Sequence, residues 1–163
     1  MKKIIIPIIF VLYFLPSKAI SEIKTIIEGK IDSKIKMIVY ESLTCSHCAN
    51  FHKNVYPSIK EDFIDKGYAH IEFRNFPLDL MAFNASKIAH CRNDGKSEIL
   101  HYLYNNQEKW IKGNTIEEAN ENIKLLIQKS SFKLNVKNCI NNKKIEDHIL
   151  EDRIEGAKKF KIE

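Results

Sequence analysis

The chain has 163 residues, 44% hydrophobic and 29% charged, with five Gly and four Pro. That length fits one domain, and that balance excludes a disordered, collagen-like or Gly/Pro-rich chain. The formal charge of +5 falls to +2 once Lys2, Lys3 and Lys18 are set aside as part of a removable leader, leaving 23 basic against 21 acidic residues. So small a bias gives no reason to expect a nucleic-acid partner.

The leader is read from the first residues. Lys2 and Lys3 precede an apolar run from Ile4 to Leu15, and Pro16 and Ser17-Lys18-Ala19 follow. This is a charged start, an apolar centre and a small-x-small exit, the pattern of a signal peptide over residues 1–19 cut after Ala19. Ala19 and Ser21 also permit a cut after Ser21. The run is shorter than the roughly 20 residues a spanning helix needs, so membrane contact is expected only during export. Export puts the four cysteines where disulfides persist.

After a short lead with strand character at Thr25–Ile27 and a turn at residues 29–33, Lys36–Glu41 reads as a buried strand. It runs straight into Thr44-Cys45-Ser46-His47-Cys48. Cys48, Phe51, Val55 and Ile59 then fall at helical spacing, with Pro57 expected to kink or end the helix. Ala69–Phe76 reads as a second strand, with His70, Glu72 and Arg74 alternating with Ile71, Phe73 and Asn75 until Pro77 ends it. The rest is helical in pattern. Leu80–Cys91 and Ser97–Trp110 are two helices. Thr115-Ile116-Glu117-Glu118 is a capping box opening a third, with Ile116, Ala119, Ile123, Leu126 and Ile127 on its apolar face. A last helix carries Ile145, Ile149, Ile154 and Ala157. No repeat and no second domain boundary interrupts this order.

Cys45 and Cys48 are the chemically telling residues, because they sit where a strand hands over to a helix. Cys45 falls at the helix N-terminus, where free N–H groups and the helix dipole favour a thiolate. Cys48 lies one turn in, near enough to close a disulfide or to resolve a mixed one. His47 can set an imidazole near the Cys45 sulfur, and stabilising the reduced thiolate makes the disulfide a stronger oxidant. Two other uses of these thiols stay open. Cys45, Cys48 and His52 supply three of the four ligands a closed zinc site needs, and no second Cys-x-x-Cys completes it. Copper handling by the same thiols is the other. Cys91 and Cys139 have no Cys-x-x-Cys partner, and an even pair in an oxidising compartment points to a structural bridge between them. His52, His70, His90, His101 and His148 show no spacing of a metal site or triad and read as surface or satisfied residues.

Over Glu41-Ser42-Leu43-Thr44-Cys45-Ser46-His47-Cys48-Ala49-Asn50-Phe51-His52 the sequence resembles a DsbA-like thiol:disulfide oxidoreductase of the thioredoxin superfamily. Arg74-Asn75-Phe76-Pro77-Leu78 is similar to that family's next strand and the loop into its helical insertion. Ala89-His90-Cys91, with Cys139 later, is similar to a bacterial subgroup with a second, non-catalytic disulfide. The resemblance runs from Ile35 to the end. It implies an α/β thioredoxin-like fold with an all-helical insertion, in a domain over residues 20–163: a first β-α-β at 24–77, the insertion at 79–145 and a return helix at 145–160. It implies Cys45 as nucleophile, Cys48 as resolving thiol and His47 as modulator, with no cofactor and no metal. It also implies periplasmic oxidation of exported cysteine-containing proteins and reoxidation by a membrane redox partner. The family more often has Pro where Ser46 stands, which bears on the redox potential.

Members of the family follow the last insertion helix with a strand that starts at a cis-proline, then another strand and a helix. Residues 154–162 resemble the approach to that strand, the chain given stops at Glu163, and Pro7, Pro16, Pro57 and Pro77 lie elsewhere. The expectation is therefore a chain without its final β-β-α half, folding poorly and oxidising thiols slowly. The alternatives are a disulfide isomerase, a non-enzymatic copper binder and an inactive thioredoxin-like protein.

Overall fold

Ile35–Glu41 and Ala69–Asn75 are rich in the β-branched and aromatic residues that suit a pleated surface, and in the computed structural model they pair in parallel, Ile35 opposite Ala69 and Glu41 opposite Asn75. The structure describes residues 22–113 and 115–162, so the leader read at residues 1–19 lies outside it. Strand β1 (Ile26–Gly29) pairs antiparallel with β3 (Ala69–Asn75), which also carries β2 (Ile35–Glu41), giving the order β1-β3-β2.

Strand β3 is therefore central. Ile71 and Phe73 enter the core, and His70 and Glu72 are buried as well. The expected alternation of a solvated with a buried face fails because partners cover the polar side: His70 Nδ1 meets Ser33 Oγ at 2.8 Å, and Glu72 pairs with Lys36 at 2.6 Å and Arg74 at 2.8 Å. Strand β2 corrects the opposite expectation. It is an edge strand, with Ile35 48% and Ile38 38% exposed, because among the described residues it pairs only with β3.

Helix α1 (residues 46–64) connects β2 to β3. Pro57 does not end it. Around the α-helical turn Tyr56–Ile59 the helix widens to i→i−5 bonding at Phe51–Val55 and Lys60–Ile64, and the Tyr56 N–H donates to the Phe51 carbonyl. Widening just ahead of the proline absorbs the missing N–H and the ring's clash with the preceding turn.

Among the described residues six helices follow: α2 (Leu80–Ala89), α3 (Glu98–Asn105), α4 (Gln107–Trp110), α5 (Ile116–Gln128), α6 (Val136–Ile140) and α7 (Lys143–Lys159). The single helix expected over Ser97–Trp110 breaks at Asn106, whose Nδ2 donates back to the Tyr102 carbonyl at 2.8 Å. A side chain that competes for backbone groups interrupts a helix in this way. The capping box at Thr115 and Glu118 has both of its hydrogen bonds. Ile88, Ile99, Leu103, Trp110, Ile123 and Ile127 fill the space between these helices and the sheet. A Cys91–Cys139 disulfide, Cα–Cα 5.3 Å, ties the end of α2 to α6 across 48 residues of sequence. Closing a loop of that length in the unfolded chain is worth about 4 kcal/mol in the chain-entropy picture.

Helix α7 buries Ile145, Ile149, Asp152 and Gly156, whereas Ile154 and Ala157 of the expected face are exposed. Two contacts turn the helix. The Asp152 carboxylate accepts from Arg74 Nη1 at 3.0 Å and from Asn75 N and Nδ2 at 3.0 and 2.7 Å. A Cβ on Gly156 would meet the Tyr40 ring at 2.9 Å, so only glycine lets the helix approach so closely. Replacing Asp152 by alanine leaves Arg74 its Glu72 partner but takes the acceptor from the Asn75 backbone N–H and Nδ2. The expected cost is about 1–3 kcal/mol, read as a lower denaturant midpoint, whereas the same change at exposed Asp147 should stay within about 0.5 kcal/mol.

Candidate active site

The chain leaves β2 at Glu41, crosses Ser42-Leu43-Thr44 and enters α1 at Cys45. Cys45 is the N-cap, in extended conformation, and its Sγ accepts the Cys48 N–H at 3.4 Å. A sulfur in this position takes one of the donors that a helix start leaves unpaired and faces the positive end of the dipole. Both thiols are free and half-buried.

The entry loop is braced from two sides. Gln107, at the start of α4, donates from Nε2 to the carbonyls of Leu43 at 2.8 Å and Cys45 at 3.0 Å. Thr44 Oγ1 donates to Asp79 Oδ2 at 2.7 Å, and Leu78 N–H donates to Ser42 Oγ at 3.2 Å. Asp79 in turn caps α2 by accepting from Ala82 N at 2.7 Å. The helical segment and the loop after β3 thus hold the cysteine loop in place.

The two thiols sit in different surroundings. Burial pushes the Cys48 thiol up to about 12, and the adjoining Cys45 acts in the same direction. His47 is exposed and has no hydrogen bond or ion pair to Cys45. Below Cys48 lies a polar cluster that sequence reasoning missed. His52 is buried, stacks on Tyr104 with ring centroids 4.0 Å apart, and places Nε2 at 2.6 Å from Glu41 Oε2. Its Nδ1 lies 3.0 Å from Nδ1 of His101, whose Nε2 lies 2.6 Å from Glu28 Oε1.

The Glu41–His52 contact has ion-pair distance, but burial disfavours the charged form of both groups. Burial holds the Glu41 carboxyl well above the ordinary range, and burial lowers His52 to about 4. Glu28 differs: burial raises it, but hydrogen bonds from His101 and Ser97 outweigh that and hold it at about 2. One signal in the sequence points to this cluster. Glu41 is a carboxyl at the end of a strand that reads as buried, and such a group needs a partner.

Cys45 and Cys48 are brought together with His47 between them, while Cys91 and Cys139 are bonded to each other in the helical part. Among the described residues no group of three or more His, Cys, Asp or Glu has metal-holding geometry; His52, the third zinc candidate, bonds instead to Glu41 and His101. No helix of the described residues is long and apolar enough to cross a membrane.

Residues 21–163 match the thioredoxin family. The crystal structure of Wolbachia pipientis alpha-DsbA1 superposes with a TM-score of 0.74 at 30% identity, covering 91% of this chain and 72% of that one. The chain belongs to the thioredoxin family and is DsbA-like. A Bacillus cereus protein named "Probable disulfide bond formation protein D" is 31% identical over 146 residues, 83% of this chain and 64% of that protein. A Rickettsia bellii protein that bears the name of a protein-disulfide oxidoreductase is 34% identical over 92 residues, 55% of this chain and 36% of that protein. The DsbA-like chain thus spans little more than a third of the length of that Rickettsia relative.

Two measurements check this site. In Cys45→Ala, the ultraviolet absorbance of a Cys48 thiolate should stay absent between about pH 5 and 9, where an ordinary thiol near 8.5 already ionises. Gln107→Ala leaves two carbonyls of the cysteine loop without their donor and should cost about 1–3 kcal/mol in chemical denaturation.

Proposed function

We propose that the protein is a periplasmic thiol:disulfide oxidoreductase that donates disulfides to exported cysteine-containing proteins, with a membrane redox partner restoring its own disulfide. The observation that carries this reading is the pairing of unlike thiols on one helical turn: Cys45 caps the helix and receives an N–H on its sulfur, whereas Cys48 is shielded and held protonated. A substrate thiolate attacks Cys45 Sγ of the Cys45–Cys48 disulfide. The S–S bond breaks, and its electron pair leaves on Cys48. A second substrate thiolate then attacks the substrate sulfur of the mixed disulfide and releases Cys45 as a thiolate stabilised by the helix start. The chemistry needs no organic cofactor.

His47, exposed and next to Cys48 in sequence, is the residue placed to modulate the pair. A cleft of about 320 Å³ beside Ser46 and Asn50, with Asn106 and Lys109 on its far wall, offers polar groups to the backbone of an extended substrate. Residues 1–19 serve as the export signal.

The test is oxidation of a reduced two-cysteine peptide by the protein in its disulfide form. Cys45→Ser should abolish peptide oxidation, and Cys48→Ser treated with oxidised glutathione should hold a glutathione mixed disulfide on Cys45, visible by mass, with one glutathione thiolate released. No mixed disulfide, or one formed on Cys91 or Cys139, would remove the reading. Equilibration with a glutathione redox buffer should place the Cys45–Cys48 pair among oxidants, and His47→Ala should make it less oxidising. A pair as reducing as thioredoxin's, about −270 mV, would overturn the direction of transfer.

A further inference from the structure

We propose that His90, Asn75 and Asp152 form an acid-sensitive latch that holds helix α7 on strand β3 and loosens when His90 takes up a proton. The three groups come from three elements: Asn75 ends β3, His90 stands at the C-terminus of α2, and Asp152 lies on α7. All three are buried. The Asn75 side chain stands between the other two, its Nδ2 2.7 Å from Asp152 Oδ2 and 3.0 Å from His90 Nε2. The latch stands on this geometry and does not depend on the thiols exchanging.

Hydrogen-bond logic fixes each role. The Asp152 carboxylate only accepts, so the Asn75 atom facing it must be the amide nitrogen and not the carbonyl oxygen. The same nitrogen faces His90 Nε2, which therefore accepts and carries no proton. The proton of neutral His90 is thereby confined to Nδ1, a buried atom with no hydrogen-bond partner of normal geometry. An unpaired interior donor is costly, and here the carboxylate on the far side of Asn75 imposes it. Around His90, α7 supplies Asp152 and His148, whose ring meets it edge-on with centroids 5.0 Å apart. Strand β3 supplies Arg74, bound to Asp152, and the lead into β1 supplies the Lys24 backbone. Burial is the largest influence and lowers His90 to about 4; the His148 charge acts the same way, while Asp152 and the Lys24 backbone oppose it.

A proton on His90 Nε2 turns this arrangement into a conflict. Two donors then face each other, the Nε2–H and the Asn75 amide. If the amide turns over to accept from His90, its oxygen lies against the Asp152 carboxylate, acceptor to acceptor. Neither orientation satisfies both neighbours, so one proton is passed through the amide as a repulsion on α7. Asp152 has another partner ready. His148 lies one turn back on the same helix, its Nε2 buried and unpartnered at 3.9 Å from Asp152 Oδ2. In the acid form the carboxylate exchanges the Asn75 side chain for a partner on its own helix, and its tie to the sheet shrinks to Arg74 and the Asn75 N–H. The sign follows from the proton count. Between its ordinary 6.5 and about 4, His90 binds fewer protons docked than released. Its contribution is complete above that window and is lost as pH falls through it.

Amide hydrogen exchange, followed helix by helix, tests the latch. His52 is lowered into the same range and weakens the whole molecule in acid, so the readout is a difference between helices. From pH 7 to pH 5, corrected for intrinsic exchange, protection over residues 149–157 should fall about 20-fold more than over α5, the factor for a His90 neutral when docked and ordinary when released. His90→Gln accepts from Asn75 but never gains a proton, and should remove that difference. Asn75→Leu has no amide to pass the proton's effect on, and should remove it too. Imidazole ¹⁵N spectra of the wild-type protein at pH 7 should show the His90 proton on Nδ1. A fall over α7 no greater than over α5, a difference that persists in His90→Gln, or a His90 proton on Nε2 at pH 7 would overturn the latch. Should His90→Gln not fold, the wild-type comparison and the tautomer decide.

Discussion

Two strands that pair in parallel cannot be joined by a tight turn; the chain must cross over the sheet to begin again at the same end. The pairing of Ile35–Glu41 with Ala69–Asn75 imposes that crossover here, and helix α1 is the crossover. The helix must start where β2 finishes, so a cysteine four residues past Glu41 becomes its N-cap. The unpaired N–H groups of that first turn are a by-product of the topology, and Cys45 is the side chain placed to use them. The bracing by Gln107 and Asp79 fixes the helix start on the sheet, so the sulfur's position follows from the fold more than from loop preference.

The interior around this crossover carries an unusual polar load. Glu41, His52, His70, Glu72, Asn75, His90 and Asp152 are all buried. They fall into two groups on the sheet. One binds α7 to β3 through Asp152, Arg74 and Asn75, with His90 Nδ1 and His148 Nε2 beside it left without a hydrogen-bond partner. The other, under Cys48, is satisfied along its length but left open at Glu41 Oε1.

The parts of this molecule legible in its sequence are those whose signals are local. The strand-to-helix handover at Cys45, the capping box at Thr115 and the helix around Ile123 all depend on residues within a few positions of one another. What sequence reasoning missed depends on distance. His101 and Glu28 meet His52 only because β1, α1 and α3 converge, and no spacing along the chain encodes that. Strand β2 reads as buried from its apolar run, but burial needs neighbours on both sides, and composition does not count neighbours. Helix α7 turned away from its most apolar face because one carboxylate met three donors and one glycine admitted a tyrosine ring. Specific contacts of that kind outweigh an average over a helical face. Pro57 shows the same limit: its effect on a helix is readable, but the widened turns that absorb it are not.

The Cys91–Cys139 bridge has a consequence for electron traffic. Cys139 is 1% exposed and belongs to helix α6, and its partner lies at the far end of α2, outside the cluster of groups that surrounds Cys48. A thiolate that opens a disulfide must reach one of its sulfurs along the S–S axis, and of these two Cys139 is buried while Cys91 is partly exposed. The two sulfur pairs of one small protein thus differ in kind: one is a bonded tie between helices, and the other is a free pair at a helix start on which the proposed exchange rests.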